Sequence, residues 1–367
     1  MSKIALLGST GSVGSQTLDV VRSYRDSVKP VILGASKPSE KLKNQVLEFQ
    51  PEYVYIHSFN EDRFYGSKVI NESNIEDILN VDVDLYINAI SGIDGIKPTY
   101  LILNADKKLA TANKESIICL GEMLKDKIKT VIPIDSEHSA IYQILKQENK
   151  CVDKIILTAS GGPFLHKPLE EFQNITVDDA LNHPKWSMGK KITVDSATLM
   201  NKGFEVLEAY YLFGYDYDKI DVIIHPESII HGMVEFCDGT VISNMSCPDM
   251  RIPISYAIFG ERKFLDIKPL KLYEIGSLTF YKPDYEKFPL LKLAIECGKL
   301  AGSYPIVLTV ADEIAVNLFL EGKIRFTDIN KFIIKSIENI KIPLPSDINE
   351  LLSVIESLKS KIGYMSV

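Results

Sequence analysis

Two acidic side chains flank a serine in the stretch PIDSEHSAIYQIL at residues 133–145. Asp135 and Glu137 follow the apolar run TVIPI and precede a segment with helical apolar spacing. Asp is a good N-cap, and acids in a first turn interact with the helix dipole by about 0.3–1 kcal/mol. Carboxylates at such a position can also bind a divalent metal ion. The stretch alone leaves both interpretations open.

A third carboxylate occurs in the stretch VDSATLMNKGFEVLEA at residues 194–209. Helical spacing predicts that Glu205 shares one helical face with an amide and an ammonium group. With Asp135 and Glu137, Glu205 could provide oxygen ligands for a hard ion such as Mg²⁺ or Mn²⁺. Acids and lysines mostly form solvated faces, so an ordinary helix surface is the alternative. Groups that could hold a phosphate by charge and hydrogen bonds are Ser160, Gly161, Gly162, Ser196, Asn201 and Lys202.

A glycine-rich loop, GSTGSVG at residues 8–14, directly follows the first predicted strand and precedes a helix. Such glycines let the backbone approach a pyrophosphate, which also interacts with the helix N-terminus. A turn without a ligand is the alternative. The second strand ends in Ser36 and Lys37 where an NAD enzyme usually carries an acid, and a hydroxyl and an ammonium suit a 2′-phosphate better. The pattern favours NADP, although Lys37 could also be an ordinary exposed lysine.

The elements that must position these groups change in type along the chain. Short apolar runs alternate with helix-like segments up to about residue 150, which predicts a Rossmann-type, doubly wound parallel sheet. Strand-like pieces then cluster between irregular connections, which indicates an α+β domain, and helical spacing dominates from about residue 286. We therefore predict an α/β protein with a nucleotide-binding domain at 1–150, a catalytic α+β domain at 151–285 and a helical bundle at 286–367.

The longest irregular connection, from about Pro163 to Gly189, carries the only tryptophan of the chain. A connection of this length is usually disordered or an active-site lid, and we place the lid at about residues 183–190. His183, His225 and His231 lie in motifs dense in Pro, Ser and Gly, where catalytic groups tend to occur, although a single histidine is more often structural.

Bulk properties exclude several function classes. The net charge is −8, and its 41 basic and 49 acidic residues are dispersed, so no basic stripe indicates nucleic acid. No apolar stretch is nearly as long as the roughly 18 residues of a membrane span, and the first residues do not resemble a signal peptide. The five cysteines form no CxxC pair, which indicates reduced packing residues. A cytoplasmic location is expected.

Eight motifs together resemble the 1-deoxy-D-xylulose 5-phosphate reductoisomerase family in order and spacing, over essentially the whole chain. They are GSTGSVG, ANKES (112–116), DSEHSAI (135–141), SGGPF (160–164), HPKWSMG (183–189), VDSATLMNKGFE (194–205), HPESIIHGMV (225–234) and PDMR (248–251). The resemblance implies rearrangement of 1-deoxy-D-xylulose 5-phosphate, followed by NADPH-dependent reduction to 2-C-methyl-D-erythritol 4-phosphate. It also implies a homodimer.

The resemblance further implies roles for individual residues. The ligands of Mg²⁺, Mn²⁺ or Co²⁺ would be Asp135, Glu137 and Glu205, and the catalytic residues would be Lys114, Glu137 and His231. The substrate would contact Lys114, Ser136, Glu137, Ser160, His183, Trp186, Met188, Ser196, Asn201, Lys202 and Glu205. NADPH would contact Thr10, Gly11, Ser12, Val13, Ser36, Lys37, Asn113, Glu115 and Gly189.

The chain departs from the family pattern after the second strand, where it reads Ser36-Lys37-Pro38 instead of Gly-Lys-Asn. The amide contribution at residue 38 is absent, which puts the strength of NADPH discrimination in question. Two other classes stay open. A semialdehyde-type NADP dehydrogenase would need an activated nucleophilic cysteine. A non-catalytic nucleotide sensor would leave the three carboxylates as caps and surface acids.

Overall fold

The structure is a computed structural model that describes residues 1–186 and 188–363. Ser187, within the predicted lid, and residues 364–367, in the predicted C-terminal domain, lie outside the described residues. Two compact units make up the chain. The first comprises Met1–Ser116, Asp126–Ser139 and Asp249–Ile267, and the second comprises Ile117–Lys125, Ala140–Pro248 and Lys268–Val367. The division into domains at residues 150 and 285 stays a prediction.

Strands and helices alternate along the first part of the chain, and helices follow without strands in the last part. The strands are β1 Ser2–Leu7, β2 Val28–Ala35, β3 Tyr53–Ile56, β4 Arg63–Phe64, β5 Ser67–Ile70, β6 Leu85–Asn88, β7 Leu109–Thr111, β8 Ile132–Pro133, β9 Val152–Ala159, β10 Ile220–Ile224, β11 Ile230–Phe236 and β12 Val241–Met245. The helices are α1 Ser12–Ser23, α2 Glu40–Phe49, α3 Ile96–Asn104, α4 Lys114–Leu120, α5 Lys125–Ile128, α6 Ser136–Gln147, α7 Val177–Leu181, α8 Lys190–Thr198, α9 Met200–Phe213, α10 Arg251–Phe259, α11 Leu272–Ile275, α12 Pro289–Leu300, α13 Tyr304–Leu320, α14 Phe326–Asn339 and α15 Ile348–Gly363.

The first unit is built on a sheet with the strand order β4-β5-β3-β2-β1-β6-β7-β8. All pairs are parallel except β4 with β5. The strand order reverses direction between β1 and β6, and in sheets of this kind ligands typically bind outside the carboxyl ends of the strands at such a reversal. Helices α1 and α10 contribute Leu18, Ile254 and Ala257 to a core with Leu6 and Leu33. The predicted doubly wound, Rossmann-type sheet is confirmed.

The second unit contains a smaller sheet with the order β10-β9-β11-β12. Strands β9 and β10 are parallel, and β11 runs antiparallel to β9 and to β12. Val206 and Ala209 of α9 pack on Leu157 and Val234 of this sheet, which fixes α9 on one face of it. Helix α13 is buried along most of its length and contacts α14 and α15. The predicted α+β region and C-terminal helical bundle are confirmed.

Several sequence-based predictions need correction. The connection from 163 to 189 is not irregular throughout, because it contains a 3-10 helix at Leu169–Asn174 and helix α7. The sequence indicates two helix caps in the C-terminal region, Thr327 and Asp347. Thr327 is not a cap, since α14 already begins at Phe326. Asp347 caps α15, where its Oδ1 accepts a hydrogen bond from the N–H of Glu350 at 2.9 Å. The hairpin β4–β5 was not predicted. Within residues 1–186 and 188–363, no helix combines the length and apolar character needed to cross a membrane.

Candidate functional site

The glycine-rich loop closes tightly between β1 and α1. Gly8 has a φ of +86°, a conformation that favours glycine. A Cβ on Gly14 would lie 2.2 Å from the carbonyl oxygen of Gly8, so no larger residue fits where α1 starts. The backbone N–H groups of Gly8 and Ser9 donate to the carbonyl of Gly34 at 3.0 and 2.7 Å, which ties the loop to the end of β2. The loop has the close-packed form that a dinucleotide pyrophosphate requires.

Helix α2 supports this loop from the side. Oγ of Ser9 donates to Oε1 of Gln45 at 2.8 Å, and Nε2 of Gln45 donates to the carbonyl of Ser9 at 2.9 Å. Nζ of Lys41 donates to the carbonyl of Thr10 at 2.7 Å, which brings a positive charge to the loop. Sequence reasoning missed Lys41, although a basic residue in the first turn of the helix after β2 is a readable signal. Of the residues predicted for the cofactor here, Gly11 and Ser12 are exposed and Thr10 and Val13 are half-buried.

Ser36 and Lys37 follow the end of β2 and are exposed, as expected for residues that reach a ligand. The N–H of Ser58 donates to the carbonyl of Ser36 at 3.2 Å, so the chain after β3 runs beside them. His57 lies in that segment, and its Nδ1 is 3.1 Å from Oε2 of Glu72. No role for His57 is predicted from the sequence. The structure places it at the sheet edge where the 2′-phosphate residues are predicted.

Asn113 has a structural use in addition to its predicted cofactor contact. Its Nδ2 donates to the carbonyls of Ile90 and Gly92, each at 2.8 Å, and its Oδ1 accepts from the N–H of Ser116 at 2.7 Å. This amide therefore holds the loop after β6 against the start of α4. Glu115 is buried next to it.

Asp135 lies directly before α6, at the carboxyl end of β8. Its backbone carbonyl accepts from the N–H of Ser139 at 2.8 Å, so the strand end and the helix start fix it. Nζ of Lys114 lies 3.0 Å from Oδ2 of Asp135, with side-chain exposures of 6% and 14%. Oγ of Ser136 donates to Oε2 of Glu137 in the first turn. Strand β8, helix α4 and helix α6 thus bring Lys114, Asp135, Ser136 and Glu137 to one edge of the sheet.

His138 is a further polar residue at this edge that sequence reasoning did not assign. It is fully buried, and its Nδ1 lies 3.5 Å from Oδ2 of Asp135. The DSEH motif contained a signal for this contact. Asp135 and His138 are three residues apart, and residues at that spacing are neighbours on a helix surface.

The donors at this edge fit a hard divalent ion. Asp135 and Glu137 present carboxylate oxygens from partly buried positions, and neither a thiol nor another soft ligand is part of the set. Mg²⁺ and Mn²⁺ prefer such oxygen ligands and usually retain positions for water or substrate.

In the second unit, the glycine pair after β9 lies against helix α8. Gly161 and Gly162 have φ values of +84° and +69°, so the chain turns sharply after Ser160. A Cβ on Gly162 would lie 2.6 Å from the carbonyl oxygen of Ser196. Only glycine therefore allows the turn to approach α8 so closely, and the approach brings Ser160 and Ser196 into one region.

His183 connects this turn to the predicted lid. Its Nδ1 accepts from the N–H groups of Lys185 and Trp186 at 3.2 and 2.9 Å, so the proton of a neutral ring resides on Nε2. Nε2 lies 3.1 Å from Oγ of Ser160, to which it donates. The same Oγ accepts from the N–H of Gly162 at 3.2 Å, which leaves the hydroxyl hydrogen of Ser160 to donate to a ligand. Burial lowers the pKa of His183, which agrees with a neutral ring.

Trp186 packs against the predicted catalytic histidine. Its indole and the ring of His231 lie 6.1 Å apart, edge to face. His231 is buried in β11. Its Nε2 donates to the carbonyl oxygen of Ser246 at 3.2 Å. Met188 is half-buried, whereas Gly189 is exposed and precedes α8 as its N-cap.

A sharp corner between α8 and α9 brings the remaining predicted residues together. Leu199 adopts a φ of +59°, and the N–H of Met200 donates to Oγ1 of Thr198 at 3.3 Å, so α9 starts at once. Nδ2 of Asn201 donates to Oε1 of Glu205 at 2.6 Å, and Nζ of Lys202 donates to Oε2 of Glu205. The predicted shared helical face is confirmed. It is not a solvated surface, because Lys202 and Glu205 are 3% and 1% exposed.

His225, the other histidine noted from the sequence, anchors the segment before β11. Its Nε2 accepts from the N–H of Ile229 at 3.3 Å, and its Nδ1 lies 3.0 Å from the carbonyl oxygen of Thr279. Glu227 binds the hydroxyl of Thr279 at 2.6 Å. These contacts hold the turn that leads to His231.

Comparisons with known proteins point to one family. Three family models match the chain: 1-deoxy-D-xylulose 5-phosphate reductoisomerase over residues 4–121, its C-terminal domain over 131–213, and the DXP reductoisomerase C-terminal domain over 245–361. A relative named 1-deoxy-D-xylulose 5-phosphate reductoisomerase, from Sulfurihydrogenibium sp. (strain YO3AOP1), is 63% identical over 97% of this chain and 96% of its own.

Solved structures show the same similarity. A crystal structure of DOX-P reductoisomerase in complex with NADPH, fosmidomycin and magnesium has a TM-score of 0.92 at 33% identity, covering 99% of this chain and 98% of that one. The 1-deoxy-D-xylulose 5-phosphate reductoisomerase from Zymomonas mobilis in complex with NADPH has a TM-score of 0.90 at 32% identity, covering 98% of both chains.

Proposed function

The chain belongs to the 1-deoxy-D-xylulose 5-phosphate reductoisomerase family. We propose that it catalyses the reaction of this family and assign a role to each predicted site residue. The reaction is the NADPH- and divalent-metal-dependent rearrangement and reduction of 1-deoxy-D-xylulose 5-phosphate to 2-C-methyl-D-erythritol 4-phosphate. The observation that carries the assignment is the 63% identity to a relative of that name over 97% of the chain. The chain is thus an oxidoreductase that also rearranges a carbon skeleton.

Asp135, Glu137 and Glu205 are the proposed ligands of the divalent ion. A bound ion of this kind supplies Lewis acidity, which polarises a ketone and acidifies a neighbouring hydroxyl group. Lys114 and Ser136 contact the carbon chain of the substrate in this proposal. The support is local: Nζ of Lys114 lies 3.0 Å from Asp135, and Oγ of Ser136 donates to Glu137, so each polar group is oriented by a proposed ligand.

The substrate phosphate is proposed to bind the groups around the glycine turn and the α8–α9 corner. Ser160 has its Oγ held by His183 and by the N–H of Gly162, which directs its hydroxyl hydrogen outward. A neutral His183 adds no charge, so Lys202 provides the cation for the phosphate. The remaining hydrogen bonds are proposed to come from Ser196 and Asn201.

NADPH is proposed to bind the glycine-rich loop through Thr10, Gly11, Ser12 and Val13, with Ser36 and Lys37 at the 2′-phosphate. Asn113, Glu115 and Gly189 complete the proposed contacts. NADPH supplies the hydride that reduces the rearranged aldehyde. The reversal of strand order between β1 and β6 supports a nucleotide at the carboxyl ends of these strands.

Trp186 and Met188 are proposed to cover the substrate during the reaction. A lid excludes water while the carbon skeleton is broken and re-formed, and the binding of the phosphate provides the free energy for its closure. The indole already packs on His231 at 6.1 Å, which supports a catalytic location for that histidine.

A homodimer is the proposed assembly. Val241 and Ile242 of β12 are 48% and 41% exposed at the edge of the second sheet, and Leu272 and Tyr273 of α11 are 59% and 80% exposed. Apolar side chains exposed together with an unpaired strand edge are typical of surfaces that a second copy covers. We also propose a cytoplasmic location, because the five cysteines are free thiols. Neither a nucleic acid nor a membrane is a proposed partner.

The semialdehyde dehydrogenase and sensor classes have no support comparable to the family membership. A semialdehyde dehydrogenase needs an activated cysteine thiolate. Burial raises the pKa of Cys297 to about 12, which keeps this side chain a neutral thiol. Cys151 and Cys237 are exposed and lie at the adjoining ends of β9 and β11, where the N–H of Cys237 donates to the carbonyl of Cys151 at 2.7 Å.

The test is NADPH oxidation by the purified chain with 1-deoxy-D-xylulose 5-phosphate, with and without EDTA. We expect oxidation that requires the substrate, stops with EDTA and returns when Mg²⁺ or Mn²⁺ is added in excess. NADH serves as the cofactor control. If no oxidation depends on both substrate and metal, the proposed function is wrong.

A further inference from the structure

A buried ion cluster outside the proposed contacts connects helix α8 to the C-terminal helical bundle. Nζ of Lys191 lies 2.7 Å from Oδ2 of Asp195 in α8 and 2.7 Å from Oδ2 of Asp312 in α13. The side chains of Lys191, Asp195 and Asp312 are 17%, 4% and 0% exposed. One ammonium group therefore joins two carboxylates that are 117 residues apart in the chain, in a position largely shielded from water.

This cluster lies on the same short helix as several proposed ligand contacts. Lys191 is the second residue of α8, and Gly189 precedes that helix as its N-cap. Ser196 follows Asp195 directly. Nζ of Lys191 also lies 5.2 Å from the ring centroid of Phe204 in α9, the helix that carries Asn201, Lys202 and Glu205. The ammonium group thus contacts α8, α9 and α13 together.

The energetics of a buried cluster make the connection rigid. Burial of a charge costs desolvation free energy, which is offset only while the oppositely charged partner stays in contact. Removal of one partner leaves a buried charge whose desolvation is less well offset. Movement of α8 away from α13 would separate Lys191 from Asp312. Such movement is opposed more strongly here than it would be by an exposed ion pair, which contributes little.

We propose that Asp312 is a positioning residue for the substrate phosphate, acting through Lys191. It fixes the first turn of α8, and that turn determines where Ser196 and the end of the lid at Gly189 lie. The C-terminal bundle then has a function in the reaction although it supplies none of the proposed ligand contacts. This inference rests on the proposed function, because it concerns the phosphate of the same substrate.

The test is Asp312→Asn, which removes the charge and preserves the side-chain volume. The reason to expect a binding defect is that Lys191 loses its ion pair with α13 and keeps only a weaker, neutral acceptor there, so Ser196 is held less firmly. We expect KM for 1-deoxy-D-xylulose 5-phosphate to rise roughly 10-fold, with kcat within about 2-fold of the wild-type value.

Asp328→Asn is the matched control in the same bundle. Asp328 lies in α14 and binds Arg325 and Lys331, each at 3.0 Å, and its side chain is 9% exposed. The control removes the same charge from the same bundle and leaves α8 untouched. It is expected to lower the unfolding temperature without a change in KM. If Asp312→Asn also lowers only the unfolding temperature, the positioning proposal is wrong.

A second readout does not depend on turnover. Trp186 is the only tryptophan of the chain, so its fluorescence reports on the lid segment that leads into α8. Titration of the holoenzyme with inorganic phosphate should change this fluorescence, and Asp312→Asn should weaken the apparent affinity roughly 10-fold while Asp328→Asn should not. Equal affinities in wild type and Asp312→Asn would overturn the proposal. A wild-type chain without turnover would instead contradict the proposed function, and the fluorescence comparison would still decide the positioning role.

If Asp312→Asn does not accumulate as folded protein, an all-neutral variant replaces it. The triple variant Lys191→Gln, Asp195→Asn and Asp312→Asn leaves no charge of the cluster buried and keeps groups that hydrogen-bond to one another. It is expected to raise KM by the same factor, since neutral bonds hold α8 to α13 less firmly. A KM equal to that of the wild type would overturn the proposal.

Discussion

The Nε2 atom of His183 lies 3.1 Å from Oγ of Ser160, while Nδ1 of the same ring accepts two backbone N–H groups of the lid. A single neutral imidazole therefore links the lid segment to the turn after β9. Protonation would put a hydrogen on Nδ1 and remove both acceptor contacts. The link between Ser160 and the lid is consequently a property of the neutral ring.

We predict that acidification loosens the lid through His183. Burial lowers the pKa of this ring below its ordinary value of 6.5, so the folded protein binds the proton less tightly than the unfolded chain does. By linkage, the contribution of the neutral His183 ring to the stability of the folded protein is complete above about pH 6.5. That contribution is lost as the pH falls through the lowered pKa. Trp186 fluorescence of the substrate-free enzyme should change over that acidic range.

His183→Asn should remove this acidic transition, because an amide keeps an acceptor near the position of Nδ1 and does not titrate. An acidic transition of unchanged midpoint and amplitude in His183→Asn would contradict the prediction. Far-UV circular dichroism across the same pH range verifies that the variant stays folded.

Glu205→Gln should abolish turnover and preserve NADPH binding. The amide keeps the volume and can still accept from Asn201, but it removes the negative charge that would bind the divalent ion and that now faces Lys202. We expect kcat to fall by roughly 100-fold or more, the cost typical of a lost electrostatic contact in a transition state. Steady-state kinetics and NADPH titration measure the two effects separately.

The exposed acid Glu321, which pairs with Lys323 at 2.6 Å, provides the control for this change. Glu321→Gln should leave turnover and the requirement for metal unchanged. Wild-type turnover in Glu205→Gln would show that Glu205 does not act as a metal ligand. Loss of NADPH binding in that variant would contradict a role confined to the metal and substrate.

Local spacing made much of the fold and of the proposed site predictable from the sequence. The glycine loop after β1 and the shared face of Asn201, Lys202 and Glu205 depend only on contacts within one turn or one helix. The strand-to-helix junction at Asp135 was readable for the same reason. These features were predicted from neighbouring residues and were found in the structure.

Contacts between distant residues were not predictable in this way. Lys191 and Asp312 meet only because α8 and α13 pack together, and no local pattern in either helix indicates the partner. Lys41 reaches the carbonyl of Thr10 across 31 residues for the same kind of reason. The hairpin β4–β5 was missed because β4 has two residues, too few for an alternating pattern.

Gly14→Ala should weaken both the fold and nucleotide binding. The added Cβ would lie 2.2 Å from the carbonyl oxygen of Gly8, so the loop must shift. Overpacking of this kind typically costs about 1–3 kcal/mol of unfolding free energy. Gly11→Ala is the matched variant, because its Cβ would lie at an ordinary 3.4 Å from the same oxygen and its φ is not positive. Denaturant unfolding should show a clearly smaller loss for Gly11→Ala, and equal losses would contradict the close-packing argument.

Lys37→Ala should reduce the preference for NADPH over NADH. The exposed ammonium group follows β2 beside Ser36 and is the cation predicted for the 2′-phosphate, which NADH lacks. A hydrogen bond between charged groups contributes about 1.5–3 kcal/mol, so KM for NADPH should rise roughly 10- to 100-fold while KM for NADH stays unchanged. Nζ of Lys41 donates to the carbonyl of Thr10, so its ammonium group also lies at the nucleotide loop and is the alternative source of this cation. Lys41→Ala tests that alternative. If Lys37→Ala raises KM for both cofactors equally, Lys37 does not recognise the 2′-phosphate. A selective loss of NADPH affinity in Lys41→Ala alone would transfer that role to Lys41.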